Sequence, residues 1–140
     1  MPKEHKKKEG MSSNFRWAAL TDIGKVRAEN QDAFVVDEKA ELFAVIDGMG
    51  GHPGGDRAAE VIAEELPGIM KVGLEKARSQ TAKAIRRMLR KSMVKLNHKM
   101  LAETKSESGI EGMGATVTAG LLHNGRFFVV NIGDLSLIHI

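Results

Sequence analysis

The chain has 140 residues, a formal net charge of +3, 42% hydrophobic and 28% charged residues, and no cysteine. That length supports one domain with a real core rather than two, and the composition is that of a folded globular protein, not a disordered one. Disulfides, thiolate metal sites and a cysteine nucleophile are excluded, the lack of cysteine fits a reducing compartment, and no apolar run approaches the roughly 20 residues that span a bilayer.

In chain order, MPKEHKKKEG is basic with no apolar segment behind it, so it is not a secretory signal. Residues 1 to about 12 carry charge, Ser and Gly without periodicity and read as a flexible basic tail, with Met1 and Met11 both available as starts. FRWAALTDIG (15–24) predicts a strand opening into a turn at Gly24. DAFVVD (32–37) and ELFAVID (41–47) predict two strands with a short connection, hence a hairpin. Residues 48–55 then hold five glycines in eight positions. Ala58, Ile62, Leu66 and Ile69 recur near helical spacing, and Pro67-Gly68 predicts that this helix breaks near Leu66.

A second helix is expected from about Ala77 to Glu103, with Ile85, Leu89, Met93, Leu96 and Met100 as its apolar stripe. From Lys76 to Lys105 there are ten Lys or Arg against one acid, Glu103. The expected meaning is a solvated outer face. Binding to nucleic acid or anionic lipid is the alternative, weakened by the absence of interleaved aromatic residues. SESGIEG reads as a loop, and GATVTAGLLHNGRFFVVNIGD (114–134) as two strands around an Asn124-Gly125 hairpin turn. The order β-β-β-α-α-β-β, with hairpins and consecutive helices, argues for an α+β fold with antiparallel sheet.

Two stretches carry chemistry. In LFAVIDGMGGHPGGDRAAE (42–60) an apolar strand ends in one carboxylate, Asp47. A strand end fixes a side chain well, and a carboxylate there is a good ligand for a hard cation such as Mg²⁺ or Mn²⁺. Glycine behind it lets the backbone approach, so the Gly48 carbonyl is a second candidate ligand. A glycine-rich turn in which Asp47 merely accepts backbone hydrogen bonds fits the Asp-Gly pair equally well. In TDIGKVRAENQDAF (21–34), Arg27 precedes Asp32 by five residues within a turn between strands. A guanidinium offers paired donors to phosphate oxygens, and Asp32 could orient metal-bound water. Taken singly, Arg27 is a common surface residue and Asp32 a common turn-former.

Together these segments resemble the metal-dependent protein serine/threonine phosphatases of the type 2C class. TDIGKVRAENQDAF looks like the family signature S/T-D-x-G-x-x-R-x-x-N-x-D, and LFAVIDGMGGHPGGDRAAE is similar to the D-G-M-G-G-H block of its bacterial branch. GMGATVTAGLL and RFFVVNIGD resemble the next two blocks, so four blocks stand in order over residues 15–134. The resemblance implies a four-layer α-β-β-α sandwich of antiparallel sheets, of which residues 13–134 would supply the N-terminal half to two-thirds. It also implies two Mg²⁺ or Mn²⁺ ions and a weaker third. Asp47 would bridge the two ions and the Gly48 carbonyl would bind one. Asp32 would act through water, Arg27 would hold the substrate phosphate, and Asp134 would help to hold the third ion. The implied reaction is direct hydrolysis of phosphoserine or phosphothreonine by metal-activated water. The expected partners are phosphorylated substrates of a serine/threonine kinase, with no nucleic acid and no membrane, and the expected state is a cytoplasmic monomer. A catalytically dead phosphoprotein-binding module of the same fold is the alternative, and a basic nucleic-acid-binding protein a more distant one.

The chain departs from the family in places. Met49 stands where the eukaryotic branch has a histidine, and His52 is read as a structural residue of the loop rather than its replacement. Gln31 replaces a glutamate near the metals, which leaves that place to water. Asp56 is accounted for by its position in a first helical turn, and Met113 and Thr116 by packing. Family members continue past this chain's last residue and supply two further aspartates, so the 140-residue chain is expected to be poorly folded and inactive and to bind at most one metal weakly. Residues 135–140, LSLIHI, translate a sequencing adapter and are expected to be a scar.

Overall fold

The structure, a computed structural model, describes residues 6–11, 15–49, 54–106 and 114–135. Its elements are β1 (Lys6–Met11), β2 (Arg16–Thr21), β3 (Asp32–Asp37), β4 (Leu42–Gly48), α1 (Gly55–Glu75), α2 (Ala82–Ser106), β5 (Ala115–His123) and β6 (Arg126–Ile132). β3 to β6 form one antiparallel sheet in the order β3-β4-β5-β6, and β1-β2 is a separate antiparallel pair. This is the expected mixture of α and β with antiparallel pairing.

Alternation along β4 sets the two faces of the sheet. Leu42, Ala44 and Ile46 are buried beneath the helices, while Val45 and Asp47 point the other way. In β5, the other inner strand, Val117, Ala119 and Leu121 join the helix side. Against them pack the expected stripes, Ala58, Ile62, Leu66 and Ile69 from α1 and Ile85, Leu89, Met93, Leu96 and Met100 from α2, all buried. On the opposite face Val45, Phe127 and Val129 are 46–53% exposed. The Asn124-Gly125 turn has both residues at positive φ, 50° and 70°, the backbone a tight two-residue hairpin requires.

Three expectations are corrected. Residues 6–11, expected within a flexible tail, form β1, in register from Lys6↔Thr21 to Met11↔Arg16. Nearly every residue of β1 is exposed, so the main-chain ladder holds it and hydrophobic periodicity carries no trace of it. Gly10 helps, because Trp17 Nε1 donates to Glu38 Oε1 at 2.8 Å across the space a side chain there would fill. Second, α1 does not break near Leu66 but runs through Pro67 to Glu75. An internal proline costs about 3 kcal/mol, but Ile69 and Met70, 5% and 0% exposed, lie beyond it. Burying two such side chains returns about 1.5–3 kcal/mol each, so continuation wins. Third, α2 starts at Ala82 rather than near Ala77, because the Thr81 hydroxyl caps it by accepting from Ala84 N–H at 3.3 Å. SESGIEG falls outside the described residues after Ser106.

The proline gives a stability prediction. Pro67→Ala restores a donor to the Ala63 carbonyl and should stabilise the full-length protein by about 1–3 kcal/mol. Gly68→Ala should add up to about 1 kcal/mol, since a Cβ there meets nothing within 4 Å. Thermal melts followed by circular dichroism read both changes; a lower melting temperature for Pro67→Ala would mean that the proline is required for packing.

Candidate active site

The turn between β2 and β3 is held by its own side chains. Asp22 Oδ1 accepts from Gly24 N–H at 2.7 Å, and Gly24 takes the left-handed backbone, φ 74°, that the turn needs. Asn30 is the pin at the far end: Oδ1 accepts from Asp32 N–H at 3.0 Å, while Nδ2 donates to the buried Thr21 hydroxyl at 3.0 Å. Asn30 thus fixes where Asp32 enters β3. No role was assigned to it from the sequence; its signal is an Asn two residues before an acid in a Gly-containing turn.

Asp32 and Asp47 are direct partners across β3 and β4, and Asp47 is directly opposite Thr116 on β5. Opposed residues in an antiparallel pair project to the same face, so two carboxylates and a hydroxyl stand in a row on the face away from the helices. The Asp32 carboxyl titrates above the usual carboxylate range. Burial is the main cause, followed by the charge of Asp47 and a hydrogen bond between the two carboxyl groups; Arg27 pulls the other way. Such a pair needs a shared proton or a cation between its oxygens.

A cleft of about 260 Å³ opens over this row, lined by Asp22, Ile23, Arg27, Glu29, Asn30, Gln31, Asp32, Asp47 and Gly48. Arg27 is exposed, lines the cleft and has no ion-pair partner among the described residues, which leaves its guanidinium available to an anion. Four of the five residues expected from the sequence, Arg27, Asp32, Asp47 and Gly48, therefore meet in one cleft. Asp134 does not line it. It follows Gly133 beyond the end of β6, two strands from Asp47, a span of about 10 Å at normal strand spacing.

Gly48 has a packing role beyond the one expected. Its N–H donates to the Gln31 carbonyl at 2.9 Å, and a Cβ on it would lie 2.0 Å from the Gly55 carbonyl oxygen. Bare backbone at this point seats the start of α1 against the end of β4. Gln31 packs its amide by Gly55, where a Cβ would approach to 3.1 Å. Half-exposed Met49 lies over Gly114 and donates its N–H to the Gly114 carbonyl at 2.9 Å. Asp56 sits in the first turn of α1, where a negative charge is favoured. His52 and Met113 lie outside the described residues.

Among the described residues, no group of three or more His, Asp or Glu side chains is arranged to hold a metal ion. The donors that are present nevertheless suit a divalent cation. They are hard oxygens, the two carboxylates are held together against their repulsion, and the buried Thr116 hydroxyl beside Asp47 has no hydrogen-bond partner. The sequence reading explained Thr116 by packing; its orphaned hydroxyl is what that reading missed.

An antiparallel sheet under two helices, with paired carboxylates and an arginine lining one cleft at its end, defines an α+β class of protein. The family model for protein phosphatase 2C matches residues 25–139, and the chain belongs to that family. It is 32% identical over 127 residues to the serine/threonine phosphatase stp of Listeria monocytogenes, an alignment covering 89% of this chain and 48% of that protein. It is 34% identical over 120 residues to the serine/threonine protein phosphatase PstP of Mycobacterium tuberculosis, covering 86% of this chain and 22% of PstP. Among solved structures it is similar to the PstP catalytic domain in complex with two manganese ions, with a TM-score of 0.61, 27% identity, and 94% of this chain and 48% of that one covered. The fold is shared with Stp1 of Staphylococcus aureus at a TM-score of 0.66 and 23% identity, covering 94% of this chain and 46% of that one. The chain thus spans about half the length of the stp relatives and less of PstP.

Proposed function

We propose that residues 13–134 are the N-terminal part of a protein serine/threonine phosphatase domain that hydrolyses phosphoserine and phosphothreonine with Mg²⁺ or Mn²⁺. The observation that carries this reading is the meeting of Arg27, Asp32, Asp47 and Gly48 in one cleft at the end of the sheet. Membership of the 2C family and the likeness to a manganese-bound PstP domain support it. Asp47 and the Gly48 carbonyl would hold two ions, Asp32 would act through water, and Asp134 would contribute to a third. When bound, such ions neutralise phosphoryl charge and lower the pKa of water. The chain's own share is positional: Arg27 grips the phosphate oxygens, the Thr21–Asn30 link holds Asp32 in place, and the β3–β4 ladder sets the two carboxylates side by side on adjacent strands. Phosphorylated products of a serine/threonine kinase are the proposed substrates, and a cytoplasmic monomer the proposed state.

The test is hydrolysis of phosphoserine and phosphothreonine peptides by the full-length protein, with added Mn²⁺ or with excess chelator. Activity undiminished by the chelator would overturn the reading; tight peptide binding without turnover would favour the binding module instead. In the same assay Arg27→Ala should raise KM more than it lowers kcat. Losing one charge-assisted paired contact is worth about 1.5–3 kcal/mol, roughly ten- to a hundredfold in kcat/KM. Wild-type KM and turnover in that variant would remove Arg27 from the site.

A further inference from the structure

Far from the cleft, the C-terminal part of α1 and the N-terminal half of α2 enclose a groove of about 570 Å³. Its walls carry Lys76, Arg78, Arg87, Lys91 and Lys95 and no acidic side chain. None of the five has an ion-pair partner among the described residues; Lys99, which does pair with Glu65, lies outside the groove. Lys76 has a local reason for its place, since a cation is favoured at the C-terminus of α1. Arg87, Lys91 and Lys95 have none. They stand four residues apart on one row of α2, where like charges repel and destabilise a helix.

The floor of the groove adds an independent observation. Gly73 brings the helices together so closely that a Cβ there would lie 2.8 Å from Met88 Sδ and 3.0 Å from Ser92 Oγ. Ser92, 4% exposed, lines the groove with a hydroxyl whose bond is to the Met88 sulfur at 3.4 Å, a weak acceptor that leaves hydrogen-bonding capacity free.

We propose that this groove docks an extended acidic peptide segment of a partner protein. Side chains one turn apart on a helix are spaced by about 6 Å, and those on one edge of an extended peptide recur every 6.6–6.8 Å or so. Acids at alternate positions of such a segment therefore match the row Arg87, Lys91, Lys95. No aromatic side chain lines the groove, so it lacks the stacking platform that holds single-stranded nucleic acid. Its concave shape also suits a chain better than a flat anionic membrane. α1, 21 residues long, holds the groove about 25–30 Å from the cleft at its other end, so docking and cleft occupancy do not compete. The inference does not rest on the phosphatase reading.

The test is fluorescence anisotropy of a labelled peptide of alternating Glu and Ser, titrated with the full-length protein at low and moderate salt. Arg87→Glu with Lys91→Glu should weaken binding about tenfold or more. Arg86→Glu with Arg90→Glu, the same charge change on the same helix but outside the groove lining, should weaken it by less than about threefold. Where the reversal lowers the melting temperature, Arg87→Gln with Lys91→Gln carries the same comparison. Equal losses in both pairs, or no saturable binding to wild type, would overturn the proposal. Oligothymidylate or phosphatidylserine vesicles bound more tightly than the peptide, with the same groove dependence, would overturn the peptide as occupant.

Discussion

If the proposed reading holds, Asp47→Asn in the full-length protein should lower Mn²⁺-dependent hydrolysis of phosphoserine and phosphothreonine peptides on the order of a thousandfold or more in kcat. Asp47 is the central member of the row, facing Asp32 on one side and Thr116 on the other. A neutral amide offers one oxygen in place of two charged ones, too little to stand between two dications. The substitution also removes the charge that helps to raise the Asp32 carboxyl, so the metal-free variant should fold at least as well as wild type. Calorimetric titration with Mn²⁺ should show the tighter binding step lost while the thermal melt without metal is retained. Substantial turnover, or unchanged Mn²⁺ binding, would show that the cleft is not where the ions sit.

Gly48→Ala, one methyl group away, should unfold the region instead of disarming it. The added Cβ would meet the Gly55 carbonyl oxygen at 2.0 Å, its carbon at 2.6 Å and the Gln31 carbonyl oxygen at 2.8 Å. All three are backbone atoms, so no rotamer change relieves the clash, and the cost is about 3 kcal/mol or more. The thermal melt should shift down by many degrees without metal, the opposite of what Asp47→Asn does. A Gly48→Ala protein with an unchanged melt would mean that the strand end and helix start are not locked as described.

The contrast between these neighbours shows what could be read from residues alone. Asp47 was legible because its signal is local: an apolar run ends in one acid, with Arg27 and Asp32 at a recognisable spacing. The stripes of α1 and α2 were legible because burial follows helical period. Partner-dependent features were not. Nothing near Gly48 names Gly55 as the atom it must avoid, and Thr116 becomes a site neighbour only through its register with Asp47. Pro67 misled because its local penalty was plain while the offsetting burial of Ile69 and Met70 was tertiary. β1 escaped because a strand held by main-chain bonds leaves no hydrophobic pattern.

The strand order β3-β4-β5-β6 also bears on how the molecule assembles. Its outer pairs are hairpins whose members are adjacent in the chain, and such pairs close in about 1–10 microseconds. The central pairing of β4 with β5 has both helices threaded between its halves. It must close a loop of about seventy residues, whose entropic cost is met before any contact across it rewards the chain. Asp47 therefore gains Asp32 as a neighbour early and Thr116 late. The cleft's floor is completed by the slowest-forming rung of the sheet, and conditions that retard folding should leave the carboxylate pair formed but unbacked.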